Sequence, residues 1–161
     1  MRVGLGFDVH PFSDDPDRPL VLGGVRFRDA RGLDGHSDAD VITHAVAEAL
    51  LGAAAQGDLG QHFPDDDPAW ADIESLVLLG RVVKMIGAAG WEVVNVDCSV
   101  LLEAPRLAPH RRAMQQRLTL VVGADVTVKA RRAEGLGALG RGEGIACWAV
   151  ALIERAETPA T

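Results

Sequence analysis

Ile145-Ala146-Cys147-Trp148-Ala149-Val150-Ala151-Leu152-Ile153 is the longest apolar stretch of the chain. It is far shorter than the roughly 20 residues that span a bilayer as a helix. A short, continuous apolar run of this kind reads as a strand buried on both faces. The rest of the chain must then supply the layers that cover it. With 161 residues, 48% of them hydrophobic, the chain is expected to form one folded domain over 1–161 with a sizeable core.

A net charge of -7 argues against a general nucleic-acid partner. An acidic chain that binds phosphates needs a metal or local cations to do so. Cys98 and Cys147 each sit in an apolar run and read as buried thiols, not as a disulfide framework. No secretory leader and no spanning segment is seen, so a cytoplasmic protein with no membrane partner is expected.

The N-terminus alternates Val3, Leu5 and Phe7 with Arg2, Gly4 and Gly6, the period of a strand. Asp8 and His10 follow, two apart and on the same side of extended chain, before Pro11 ends the strand. They are either a turn aspartate and a surface histidine or two ligands of a zinc ion. Leu20-Val21-Leu22 and Val25-Arg26-Phe27 flank Gly23-Gly24, a two-residue hairpin signal. Residues 29–35 read as a loop. A helix follows, capped by Ser37 or Asp38, with Val41, Ile42, Ala45, Val46, Ala49 and Leu50 on its apolar face. Asp40, His44 and Glu48 form a stripe on the other side. That stripe is either solvated or brings His44 to Asp8 and His10, with Asp40 as an outer partner. One carboxylate and two imidazoles with an open fourth position is the pattern of a working zinc.

Residues 57–68 read as a long loop carrying Asp65, Asp66 and Asp67. It is either a solvated acidic run or a lid over a polar substrate. Asp72 or Ser75 caps a second helix with Leu76, Leu79, Val83 and Ile86 facing in, ending before Gly90. Val94 to Leu102 alternates as a strand. Pro109 opens a third helix, and residues 126–130 are a short strand. Residues 131–144 mix Arg131, Arg132, Glu134, Arg141 and Glu143 with five glycines, either a phosphate cradle or a flexible loop.

GFDVHPF (6–12), GHSDADVITHAV (35–46), GDLGQHFPDDDPAW (57–70), NVDCSVLLEAPRLAPH (95–110) and GRGEGIACWAVAL (140–152) run nearly the whole length. In this order they resemble the 2-C-methyl-D-erythritol 2,4-cyclodiphosphate synthases of the non-mevalonate isoprenoid pathway. The resemblance implies an α/β (α+β) protomer, a small mixed β-sheet with helices packed on one side. It also implies a homotrimer with active sites between subunits. The implied substrate is a cytidine diphosphate compound, 4-diphosphocytidyl-2-C-methyl-D-erythritol 2-phosphate. Its 2-phosphate attacks the β-phosphorus, closing the cyclic diphosphate and expelling CMP.

By the same resemblance Asp8, His10 and His44 hold Zn2+, with Val9 between them at the substrate. Glu134 holds a second divalent cation, Mg2+ or Mn2+. His36 and Ser37 contact phosphate, His36 steadying the transition state. Asp58, Leu59 and Gly60, with Phe63, Pro64, Asp65, Asp66 and Asp67, bind the methylerythritol end. Leu102, Glu103, Ala104, Pro105, Arg106, Leu107 and Ala108 hold the cytidine from the neighbouring subunit. Arg141 belongs to a stretch that also lines the trimer axis. The chain departs from the family in two places. Arg131, Arg132 and Ala133 stand in the usual threonine run, and Ala138 where an aromatic is usual. Arg132 or Arg131 is expected to pair with substrate phosphate or with a carboxylate such as Glu134. The residues alone leave two other readings open, a non-catalytic binder of phosphorylated ligands and a zinc hydrolase.

Overall fold

The apolar run becomes β6 (Gly144–Arg155), the second strand of a four-stranded mixed sheet. The computed structural model describes residues 1–64, 66–70 and 73–156, with the side chain of Ala69 left out. Asp65 and Asp72 lie outside the described residues. Strand β1 (Arg2–Pro11) forms one edge and pairs antiparallel with β6. Strand β4 (Trp91–Leu101) pairs antiparallel with the other side of β6, and β5 (Asp125–Arg131) closes the far edge parallel to β4. A separate hairpin joins β2 (Pro19–Leu22) and β3 (Val25–Arg31) through Gly23 and Gly24. Both glycines have positive φ, 55° and 71°, as a primed hairpin turn requires. Residues 29–31, expected in a loop, continue β3.

The helices α1 (Val41–Ala54), α3 (Ser75–Ala88) and α4 (Arg111–Val122) pack on one face of the sheet. Short α2 (Leu59–His62) and a single 3-10 turn (Pro68–Trp70) break up the expected long loop, and α5 (Gly137–Gly140) breaks up the glycine-rich stretch. Helix α1 lies directly on β1. A Cβ on Gly4 would stand 2.0 Å from the Ala49 carbonyl oxygen, and one on Gly6 2.0 Å from that of Ala45. Hydrogen in place of a side chain lets helix and strand backbones meet here. Almost all of α1 is buried, including its six expected apolar positions.

Its cap is a correction. Asp40, not Ser37 or Asp38, is the N-cap, accepting from the Ile42 and Thr43 amides. Fully buried, it also accepts from the Gly23 amide at 2.8 Å and the Gly24 amide at 2.6 Å. One carboxylate thus satisfies a helix start and a hairpin turn, because residue spacing along α1 says nothing about the hairpin packed above it. Ser75 is likewise not a cap: Glu74 occupies that position without a side-chain cap bond.

The opposite face of the sheet is uncovered in the protomer. Register sets Val3, Leu5, Phe7 and Val9 of β1 beside Leu152, Val150, Trp148 and Ala146 of β6 on this face. Leu5 is 68% exposed and Trp148 39%. The expected double burial of β6 therefore holds along its helix side, and on the other side only at its start, where Ala146 is buried. Next to it the face turns polar, with Asp97 and Ser99 on β4 and Thr127 and Lys129 on β5; Lys129 pairs with Asp97. The two thiols sit on the covered face, free and buried. The hydrogen bond to Cys98 and burial hold the Cys147 thiol far above its usual range.

Candidate metal centre and active site

Because side chains alternate along β1, Asp8 and His10 emerge on the same face as Gly4 and Gly6, toward α1. The first full turn of α1 brings His44 to them. Asp8 Oδ2 lies 3.1 Å from His10 Nε2 and 3.1 Å from His44 Nδ1. One ligand atom from each of the three residues lies within 4.8 Å of the others. Val9 points to the open face and is exposed.

The outer nitrogens of both imidazoles are engaged. His10 Nδ1 donates to the Asp34 carbonyl at 2.7 Å, which leaves Nε2 with its lone pair toward the centre. His44 Nε2 lies 2.9 Å from Ser75 Oγ and 3.2 Å from Ser37 Oγ. The Ser75 hydroxyl donates to the Asp38 carboxylate, so it accepts from His44 Nε2–H. His44 Nδ1 then also presents a lone pair to the centre. Two lone pairs and a carboxylate oxygen converging on one point are the donor set of a divalent cation, fixed by outer partners in the way metal-ligating histidines are. The residues present therefore fit a metal. Asp40 is not among the outer partners: its carboxylate is used by the hairpin and by Thr43.

In the metal-free protein His10 Nε2 and His44 Nδ1 serve as donors to Asp8 instead. Burial pulls the Asp8 carboxyl upward, but hydrogen bonds from His10 and His44 outweigh it and hold the group at about 2. Burial works against a charged His10, yet the bond to Asp8 raises its pKa overall.

A cavity of about 280 Å³ opens beside the triad. Of the expected residues, His36, Ser37, Leu59, Gly60 and Phe63 line it with Asp8, His10 and His44. Asp58 stands behind it as the cap of α2, accepting from the Gln61 amide. Pro64, Asp66 and Asp67 are exposed beyond its lining. Sequence reasoning missed Trp70, set edge-on to Phe63 with ring centroids 5.1 Å apart, and Glu48. Glu48 Oε1 accepts from the Leu59 amide at 2.9 Å, and burial raises its pKa. The signal for Glu48 was present, one helical turn after His44; for Ser75 there was none.

A second cavity, of about 270 Å³, lies at the ends of β4 and β5. Leu102, Glu103, Pro105, Arg106, Leu107, Ala108, Arg131 and Arg132 line it, and Arg111 joins them. The two linings share no residue, so one protomer does not unite the residues expected at the metal with those expected at the cytidine. Ala104, exposed, lies outside this lining. Arg132 Nε lies 4.0 Å from Glu103 Oε2; the carboxylate beside it is Glu103 and not Glu134. Glu134 is exposed, with a left-handed φ of 53°. Ala133 precedes it, and its carbonyl accepts from the Leu136 amide. The Ala138 carbonyl closes the α5 turn, and Arg141 pairs with Glu143 at 2.6 Å. None of these four lines either cavity.

A family model described as the YgbB family matches residues 1–154. The 2-C-methyl-D-erythritol 2,4-cyclodiphosphate synthase of Syntrophomonas wolfei is 53% identical over 159 residues, 97% of this chain and 100% of its own length. That of Rubrobacter xylanophilus is 52% identical, with 96% of each chain covered. A solved 2C-methyl-D-erythritol-2,4-cyclodiphosphate synthase described as a bound form with CDP superposes with a TM-score of 0.86 at 32% identity. That match covers 95% of this chain and 100% of the other. The bifunctional IspDF of Campylobacter jejuni gives a TM-score of 0.90 at 36% identity, covering 96% of this chain and 42% of that longer one.

Proposed function

We propose that this chain, which belongs to the YgbB family, converts 4-diphosphocytidyl-2-C-methyl-D-erythritol 2-phosphate to 2-C-methyl-D-erythritol 2,4-cyclodiphosphate and CMP. The observation that carries this reading is the Asp8–His10–His44 triad, with both imidazoles oriented from behind, opening onto a cavity walled by His36 and Ser37. Asp8, His10 and His44 would hold Zn2+, which when bound would supply Lewis-acid polarisation of a phosphate oxygen. Glu134, exposed and outside the lining of both cavities in the protomer, would hold a second divalent cation, Mg2+ or Mn2+, which would offset charge on the diphosphate.

The chain's own side chains position the reactants. His36 and Ser37 hold phosphate. Leu59, Gly60 and Phe63 take the methylerythritol end against Trp70. Leu102 to Ala108 take the cytidine, and Arg132 and Arg131 offer fork-shaped donors to the diphosphate where a hydroxyl is usual. Bond making and bond breaking occur within one bound molecule, so holding the 2-phosphate in line with the β-phosphorus removes most of the entropic barrier.

A homotrimer supports this geometry. Strands β1 and β5 are opposite edges of a four-stranded sheet. With strands about 4.8 Å apart, they stand roughly 14 Å from each other. The metal end and the cytidine end of one substrate are better served by adjacent subunits, and the open apolar face of β1 and β6 is a surface for that assembly.

Incubation of the purified protein with substrate and both metals tests the reading. CMP with the cyclic diphosphate is the expected product pair. CMP with an open diphosphate would make the protein a hydrolase, and binding without turnover would make it a binding protein.

A further inference from the structure

Arg18 lies in the loop between β1 and β2, and its guanidinium is turned inward. Its Nε donates to the Leu33 carbonyl at 2.5 Å, and its Nη2 to the carbonyls of Gly35 at 2.7 Å and Ser37 at 2.5 Å. Alternate carbonyls of one loop therefore converge on one planar cation. The atoms between and beside them serve the metal centre. Asp34 gives its carbonyl to His10 Nδ1, and Ser37 gives its hydroxyl to His44 Nε2. His36, between two of the clamped carbonyls, lines the cavity.

The loop has little room to move. A Cβ on Gly32 would stand 2.4 Å from the Arg18 carbonyl oxygen, and one on Gly35 2.9 Å from His10 Cε1. The segment is thus gripped between Arg18 on one side and His10 on the other. Without the cation, the carbonyls of Leu33, Gly35 and Ser37 lose their shared donor, and the loop keeps its backbone anchors only at its start, where the Gly32 carbonyl accepts from the Ser13 amide and the Asp34 amide donates to the Pro11 carbonyl.

We infer that Arg18 is a positioning residue for the metal centre, fixing the 33–37 loop that orients both histidine ligands and presents His36. This rests on the reading of the triad as a metal site. Lysine cannot replace it fully, since an ammonium lacks the planar fork that reaches carbonyls from two nitrogens.

The test uses the full-length protein with Zn2+ and Co2+ alone, without substrate. Zinc affinity is read by chelator competition, ligand geometry by the visible spectrum of the Co2+-loaded protein, and folding by thermal melting. Ile86→Val, a buried change on α3, is the control for loss of stability alone. Outer partners of metal ligands change affinity by about 10–100-fold. Arg18→Met should weaken zinc by about tenfold or more and alter the Co2+ spectrum, Arg18→Lys should recover part of both, and Ile86→Val should change neither. If Arg18→Met does not fold, Arg18→Lys carries the comparison, with weakened zinc at an unchanged melting temperature expected. Wild-type affinity and spectrum in the folded Arg18 variant would overturn the inference. Failure of the wild type itself to bind either metal would overturn the metal reading beneath it.

Discussion

Asp8 couples the metal-free fold to acid. Its carboxyl titrates at about 2 in the folded protein against 3.8 for the free group. A depressed carboxylate adds stability that is complete above the free value and is lost as pH falls through the folded one. The shift corresponds to about 2 kcal/mol in the metal-stripped protein, since one pKa unit is about 1.4 kcal/mol. Denaturant unfolding of stripped protein between pH 5 and pH 2 should show this loss, and Asp8→Asn should flatten the acid limb by about that amount. Superimposable acid limbs would mean that the two imidazoles do not hold the carboxylate. At this scale the sequence was informative where geometry is local. Period two sets Asp8 and His10 side by side, and 100° per residue takes His44 off the apolar face of its helix. It was silent where partners are distant. Ser75 meets His44 across 31 positions and Arg18 meets Ser37 across 19, and neither spacing has a helical or strand period. Asp40 shows how a local spacing misleads: one turn before His44, it is used by Gly23 and Gly24 instead.

The contact of α1 with β1 sets how far His44 stands from Asp8. Both glycines of β1 that face the helix are at backbone contact. Gly6→Ala should therefore cost about 3 kcal/mol or more, because neither backbone can yield without shifting the triad. Gly87→Ala, on α3 with nothing within 4 Å of the added methyl, should be neutral or stabilising by up to about 1 kcal/mol. Urea unfolding of the pair checks both; a Gly6→Ala protein as stable as wild type would contradict the close approach. The alternation of Val3, Leu5 and Phe7 identified the strand but not which of its faces the helix covers. That choice follows from packing, where the small residues win the crowded side. The same limit applies to β6, whose unbroken apolar run hides a face left open by its own protomer.

The open face divides the molecule into an apolar half on β1 and β6 and a polar half on β4 and β5. Phe7 and Trp148 meet in the apolar half with ring centroids 5.0 Å apart and planes tilted by 44°. A charge there should prevent burial against another subunit. Trp148→Glu is expected to reduce the light-scattering mass from the three 17.0 kDa chains of the proposed trimer to one, and turnover should fall with it. A monomeric variant with full activity would refute a shared site.

Sheet order has a genetic consequence as well. With the triad at one edge and the second cavity near the other, each subunit of the proposed trimer would contribute half of two different sites. A subunit spoiled at one half still offers a sound other half to its neighbour. Asp8→Ala and Ala108→Trp, the latter filling the second cavity, should each be inactive alone. Refolded together from an equal mixture, they should recover about a quarter of the sites, those that draw both sound halves in a closed ring. Two broken alleles would then complement each other, with neither chain repaired.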